Sequence, residues 1–354
     1  MSALPVPPLP QPIHELDLGD LAALVARAFG APPVACEPMP GGASTRRYFR
    51  LTLAGGKTAV GMFVPDGAKP EEVGKGPAAT RWPFLEVRDL LAARGVDVPA
   101  LHDENVAQGW VLLEDLGDDT LAAYLEANPG RREAVYVRAV TDLARAQGAL
   151  EPLPAGSVVA TRAFDEELLA WEIHHFREWA LEARGVTLTT GDRALFDGIA
   201  ERLARRIAGW PRAFVHRDYQ SRNLMVRPGE QSLCWIDFQD ALLGPRVYDL
   251  VALLNDSYQV FDRPFVEARL DDYAAARALG PDERAALGRE FDLVTVQRKL
   301  KDAGRFVFID RVKKNPAFLR FVEPTIAKVR SSLSRLHDDE DMRTLAALLA
   351  RVLP

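Results

Sequence analysis

The stretch from His216 to Asn223 crowds His, Arg, Asp, Ser, Arg and Asn between the apolar runs Ala213-Phe214-Val215 and Leu224-Met225-Val226. A buried strand has no use for so many hydrogen-bonding groups. Metal-assisted group transfer does. Asn223 follows Asp218 by five residues, and Asp237 closes the apolar run "SLCWID" 19 residues beyond Asp218. Phosphoryl transfer needs this set: one carboxylate to accept or orient the proton of an attacking hydroxyl, with an amide oxygen and a second carboxylate to hold Mg²⁺ against nucleotide phosphates. The H-x-D-x-x-x-x-N spacing with a following strand–Asp is far more specific than a lone Gly-rich loop. Taken alone, the segment is also compatible with a polar turn between two strands.

The surrounding elements must bring these groups together. From Val34 to Pro65, "GGASTRRYFRLTLAGGKTAVGMFV" reads as two strands joined by Gly55-Gly56, a hairpin signal. "LDLGDLAALVARAFG" before it and "RWPFLEVRDLLAARG" after it have the 3.6-residue period of helices. Short strands are expected around Val98–Leu101 and in "GWVLLEDLG". Beyond Gly117 the pattern is mainly helical, interrupted by "AFVHRDYQSRNLMVRPGEQSLCWIDFQDA". Asp218 then lies on the loop after one strand and Asp237 at the end of the next hairpin. The expected organisation is an extended proline-rich arm over 1–13, a small strand-rich lobe over 14–116 and a large helical lobe over 117–354, with a cleft near Glu114–Gly117.

Bulk properties exclude several classes. The 354 residues carry 44 Lys/Arg and 50 Asp/Glu, a formal net charge of −6, which argues against a dedicated nucleic-acid binder. Cys36 and Cys234 form neither a CxxC nor a His/Cys cluster, so a disulfide scaffold and structural zinc are not expected. "MSALPVPPLPQPIHEL" lacks the basic flank and apolar core of a secretory signal. No apolar run approaches the ~20 residues of a membrane span. A reducing, cytoplasmic setting is expected, with no membrane or nucleic-acid partner.

"VHRDYQSRNLM", "WIDFQDALLGPRVYDLVALLNDSY" and "VQRKLKDAGRF" resemble the protein-kinase-like phosphotransferases of the aminoglycoside/choline kinase family. Within it they are most similar to the bacterial N-acetylmuramate/N-acetylglucosamine anomeric kinases of cell-wall recycling. The resemblance runs from about Pro40 to Arg330. It implies an α+β, two-lobed fold with a small antiparallel-sheet N-lobe and a large mainly helical C-lobe, using ATP and Mg²⁺. It also implies roles: Asp218 as catalytic base, Asn223 and Asp237 as metal ligands, His216 as a structural member of the loop, and Asp249 as its buttress. Asp237 and Asp249 at matching positions weigh heavily against the polar-turn alternative.

The nucleotide side follows the family less closely. Gly41, Gly42, Ala43, Ser44 and Thr45 form the glycine-rich phosphate-loop candidate, a glycine pair in a tight turn being the common alternative. In "TAVGM", Met62 stands where kinases carry a lysine, and a thioether cannot pair with phosphates. Arg46 and Arg47 are the candidates to supply that charge, or else solvated residues of an edge strand. Glu86 occupies roughly the helix-glutamate place, with a surface role as the alternative. The backbone of Glu114, Asp115 and Leu116 would meet the adenine edge.

The acceptor is the open question. From Arg298 to Arg330 the chain has ten Lys/Arg against three acids, which suits a neutral or anionic acceptor better than a polycation. The lactyl carboxylate of muramic acid is a partner an arginine can hold bidentately. Gln297, Arg298 and Lys301 are candidate contacts, against a basic helix face exposed to water; Asp240 and Asp256 are candidates for sugar hydroxyls. Gln220 stands where the sugar-kinase branch often has His. His174-His175 point about 100° apart on a helix and suggest packing, not a shared metal. An aminoglycoside, choline or homoserine kinase is the alternative in the same class. A catalytically inactive nucleotide-binding module, suggested by Met62, is the alternative of another class.

Overall fold

The computed structural model describes residues 18–40, 46–65, 81–230, 232–257 and 259–353. The chain divides into two compact units, residues 1–74 with 99–117 and residues 75–98 with 118–354.

In the first unit, alternation decides the sheet. Phe49 and Leu51 of β2 (Arg47–Thr52) point inward while Tyr48 and Arg50 are half-exposed. The turn after β2 puts Gly55 and Gly56 at φ 85° and 79°, backbone that glycine adopts without a Cβ clash. It returns the chain into β3 (Thr58–Phe63), whose Ala59–Met62 run is buried on both faces. With β1 (Ala35–Pro38), β4 (Leu101–Asn105) and β5 (Trp110–Glu114), these make an antiparallel sheet in the order β1-β2-β3-β5-β4. The helix α1 (Leu18–Phe29) lays Leu21, Leu24 and Val25 onto Phe49, Leu51, Ala59, Trp110 and Leu112. The approach is close: a Cβ at Gly61 would lie 2.8 Å from Leu21 Cδ1.

The second unit is built from helices with two short hairpin-like pairs. It contains α2 (Pro83–Ala93), which falls between β3 and β4 in the chain, then α3 (Leu121–Ala127), α4 (Arg132–Ala149) and α5 (Glu166–His175). A π-helical stretch, Phe176–Leu181, extends α5. After α6 (Thr190–Ala208), β6 (Arg212–Val215) pairs with β9 (Leu242–Pro245), and between them β7 (Leu224–Val226) pairs with β8 (Leu233–Trp235). Helices α7 (Tyr248–Leu254), α8 (Arg263–Ala276), α9 (Pro281–Lys313), α10 (Val322–Arg335) and α11 (Glu340–Val352) complete it.

The centre of this unit is α9. Every residue from Phe291 to Leu300 is buried, although the stretch includes Asp292, Gln297, Arg298 and Lys299. Buried charge is tolerated only when paired, and here it is. Asp292 receives Arg263 (2.9 Å), Arg335 (2.7 Å) and the Ser332 hydroxyl (3.0 Å), tying α8, α9 and α10 together. The solvent-exposed basic face is realised further along, at Arg311, Lys313 and Lys314, and not at Arg298 or Lys299. The expected α+β fold, a small antiparallel sheet and a large helical part, is the one the chain adopts. Among the described residues no helix is long and apolar enough to cross a membrane.

Candidate active site

The loop from His216 to Asn223 joins β6 to β7 and is tied down by residues of α4, α7 and the turn after it. The Asp249 carboxylate, at the start of α7 and wholly buried, accepts the His216 N–H (2.6 Å) and the Arg217 N–H (3.0 Å). The Asp256 carboxylate accepts the Ser221 N–H (3.1 Å) and hydroxyl (2.5 Å). The buried Tyr219 hydroxyl donates to the Ala139 carbonyl of α4 (2.9 Å). Buried backbone donors must find acceptors, so these carboxylates specify the loop's path. In contrast, the Asp218 side chain keeps 38% of its surface exposed.

His216 links this loop to the strand before Asp237. Its Nδ1 accepts the Asp218 N–H (3.3 Å), which leaves Nε2 to carry the proton and donate to the Ile236 carbonyl (3.1 Å). Burial lowers the imidazole's affinity for a second proton, in keeping with this neutral tautomer. The Ile236 N–H returns a bond to the Asn223 carbonyl (3.0 Å). Two non-glycine residues here adopt left-handed backbone, Arg217 at φ 80° and Asp237 at φ 63°. Such strain costs of order 1–3 kcal/mol each and persists only where surrounding bonds over-determine it.

Beneath the loop lies a buried charged network. Arg298 of α9, with no exposed side-chain surface, donates from Nη1 to the Arg217 carbonyl (2.7 Å) and from Nη2 to Asp218 Oδ1 (3.4 Å). Its guanidinium lies over the Tyr248 ring at 4.7 Å. The Arg217 guanidinium meets Glu172 of α5 (3.3 Å), whose other oxygen accepts from Gln297 Nε2 (2.8 Å). For Asp218, burial pulls the carboxyl pKa upward, but Lys301, Arg298 and Arg217 outweigh it and hold the group below the usual carboxylate range. Burial pushes the Asp249 carboxyl up to about 7, against its two N–H bonds and Arg298.

The donors beside Asp218 are hard oxygens. Asn223 Nδ2 donates to the Asp218 carbonyl (2.9 Å), so the amide oxygen is turned away from that bond. Asp237 is exposed, and Gln239 Nε2 bridges its Oδ1 (3.0 Å) and Asp240 Oδ2 (3.2 Å). Arg162 anchors the Gln239 carbonyl (3.0 Å). An amide oxygen and a carboxylate suit Mg²⁺, which takes few protein ligands and completes its octahedron with phosphates and water. Among the described residues no group of three or more His, Cys, Asp or Glu is placed to hold a metal.

The sequence candidates fall into distinct places. Asp218, Asn223, Asp237, Asp240, His216 and Asp249 come together around this loop. Asp256 is buried under it, engaged with Ser221. Gln297 and Arg298 direct their donors at Glu172 and at the loop itself, and Lys301, one turn on, approaches Asp302 Oδ1 at 3.5 Å. Glu86, on α2, accepts the Val158 N–H.

In the first unit, Gly41 to Thr45 lie outside the described residues. Arg46 and Arg47 are half-buried, Arg47 opposite Phe63 in the sheet. Met62 is fully buried between Tyr48 and Val111. The Asp115 carboxylate is engaged by Arg50 (2.9 Å) and the Gly117 N–H (3.0 Å), and Glu114 accepts the Ala100 N–H (3.1 Å). Leu116 is half-buried.

Glu172, Ser221 and Gln239 were not expected at the site. Glu172 carries no local signal, being one acid on a packed helix. Ser221 and Gln239 each stand within three residues of an expected ligand, and that proximity was the available clue.

A choline/ethanolamine kinase family protein from Mesorhizobium loti superposes with a TM-score of 0.58, covering 93% of this chain and 99% of its own, at 18% identity. Likeness of that degree shows a shared fold, in keeping with the expected protein-kinase-like one. In sequence, residues 35–287 match the phosphotransferase enzyme family, APH. The chain is 34% identical over 327 residues to N-acetylmuramate/N-acetylglucosamine kinase of Pseudomonas aeruginosa, covering 88% of this chain and 90% of that one. It is 31% identical over 313 residues to the protein of the same name in Pseudomonas putida, covering 87% and 86%. The chain belongs to the phosphotransferase enzyme family.

Proposed function

We propose that this chain is a cytoplasmic, ATP- and Mg²⁺-dependent kinase that phosphorylates the anomeric hydroxyl of an N-acetylated amino sugar, N-acetylmuramate, N-acetylglucosamine or both. The observation that carries the reading is the partly exposed Asp218 carboxylate, met by Arg298 on a loop fastened through its neighbours, beside the Asn223 and Asp237 oxygens. The names of the relatives in two Pseudomonas species support the sugar as acceptor.

In this reading Asp218 hydrogen-bonds the acceptor hydroxyl and aims its oxygen in line with the γ-phosphorus. The new O–P bond forms as the bond to the β-phosphate oxygen breaks, and the proton passes to Asp218 late, as suits a loose transition state and a weak base. Asn223 and Asp237 would hold Mg²⁺, which neutralises charge on the phosphates when bound. His216 and Asp249 fix the loop. Arg46 and Arg47 are the proposed phosphate contacts that stand in for the charge Met62 lacks, with Gly41, Gly42, Ala43, Ser44 and Thr45 as the phosphate loop and the backbone of Glu114, Asp115 and Leu116 at the adenine. Asp240 is the remaining candidate for a sugar hydroxyl.

The test is ADP release with ATP·Mg²⁺ against N-acetylmuramate, N-acetylglucosamine, choline, homoserine and kanamycin, with product NMR. A phosphate-coupled anomeric carbon is expected. Asp218→Asn should lower kcat by about 10²–10⁴-fold with nucleotide binding retained. Turnover of an amine alone would overturn the acceptor, and ATP binding without turnover on any of the five would favour the inactive module.

A further inference from the structure

From Phe291 to Leu300, α9 is closed in on every side; Lys301, Arg305 and Phe308 are where it begins to open. With Arg298 as the reference, these three fall within an arc of about 80° on the same side of a 3.6-residue helix. That is the side from which Arg298 reaches Asp218. Lys301 and Arg305 therefore stand about 5 Å and about 10 Å further along the axis from Arg298. They continue along α9 the row that starts at Arg298 beside Asp218.

The row is electropositive and has an aromatic floor. Lys301, its side chain 13% exposed, is foremost among the charges that keep Asp218 ionised. Of the acids acting on Lys301, Glu172 is bonded to Arg217 (3.3 Å) and Gln297 (2.8 Å), and Asp302 is engaged more closely by Lys299 (2.8 Å) than by Lys301 (3.5 Å). The Arg305 guanidinium rests on the Phe308 ring at 4.9 Å. Phe308 packs edge-on against Trp179 (5.1 Å) and at a tilt against His175 (5.4 Å). The approach of α5 that assembles these rings depends on Gly304, where a Cβ would sit 2.5 Å from the His175 carbonyl oxygen. An arginine resting on a ring has lost much of its rotamer freedom before a ligand arrives, and its fork suits a carboxylate.

We infer that Lys301 and Arg305 form the carboxylate-binding arm of the acceptor subsite, so that the enzyme favours an acid-bearing N-acetyl sugar over its neutral counterpart. The inference rests on the amino-sugar kinase reading and adds to it the residues that choose between the two acceptors. An acceptor whose anomeric hydroxyl meets Asp218 and whose ring carries a lactyl carboxylate presents its negative charge to the cations one and two turns along α9. A neutral sugar meets the same hydroxyl geometry without that pairing.

The experiment compares kcat/KM for N-acetylmuramate, its methyl ester and N-acetylglucosamine. For the unaltered enzyme the free acid should exceed the ester by about tenfold or more, mostly through KM, with the advantage shrinking as salt is raised. Arg305→Met should remove most of the acid-to-ester ratio, and Arg305→Lys should retain part of it. An ester as good as the acid in the unaltered enzyme overturns the inference without reliance on any variant, as does an unchanged ratio in folded Arg305→Met. If neither N-acetyl sugar is turned over at all, the kinase reading itself falls and this inference with it.

Discussion

At Asp218 the chain solves a conflict between burial and ionisation. The residue sits among buried groups, yet the guanidinium of Arg298 beside it favours the charged carboxylate without itself reaching solvent. Removing the cation should raise the Asp218 pKa, so a smaller fraction is ionised at a given acidic pH. Arg298→Met is therefore expected to lower kcat and to move the acid limb of the pH–rate profile upward. Arg298→Lys keeps charge but loses the fork that also holds the Arg217 carbonyl, and should fall between the two. An acid limb that does not move in Arg298→Met would show that Arg298 only supports the loop.

At the scale of elements, two glycines on α9 make opposite demands. At Gly304 a Cβ would lie 2.5 Å from the His175 oxygen and 2.7 Å from its carbon, backbone atoms that cannot swing aside. Gly304→Ala should cost about 2 kcal/mol or more and reduce activity, because α5 also carries Glu172 under the loop that holds Asp218. At Gly288 a Cβ meets nothing nearer than 3.6 Å, so Gly288→Ala should gain roughly 0.5–1 kcal/mol from helix propensity. Thermal or denaturant melts of the two variants check both signs.

A further pair joins α6 to α11. Asp192 closes the capping box with Thr189 and receives Arg351 (2.6 Å), which holds its carboxyl well below the usual carboxylate range. A depressed folded-state pKa contributes stability above the unfolded value near 4, lost as pH falls through the lower folded value. The stability gap between the unaltered chain and Arg351→Ala should therefore be full at neutral pH and shrink under acid. A gap independent of pH would assign the contact to packing alone.

For the molecule as a whole, the net charge of −6 conceals a local arrangement of the opposite sign, the basic stretch of α9 and α10. In the proposed reading metal would be held by Asn223 and Asp237, and no group of three or more ligating acids, His or Cys occurs among the described residues. Chelation is therefore expected to stop turnover, with recovery on adding Mg²⁺, while the melting temperature stays unchanged. A large drop in melting temperature on chelation would point to a structural ion.

The sequence by itself determined what local spacing and side-chain chemistry can determine. H-x-D-x-x-x-x-N with a following strand–Asp placed Asp218, Asn223 and Asp237 on neighbouring loops. Gly55-Gly56 marked the hairpin by its backbone freedom, and the same motifs pointed to the family. Tertiary structure alone decided the partners of α9. Gln297 and Arg298 read as plausible contacts, against a wet basic face that also took in Lys299, yet all three are buried, and Arg298 donates to a residue 81 positions away. Helical periodicity records which face is apolar. It cannot register that a charged face is enclosed by other charges, because a buried ion pair is satisfied by a partner from a distant element, and that element's approach is set by packing such as Gly304 against α5.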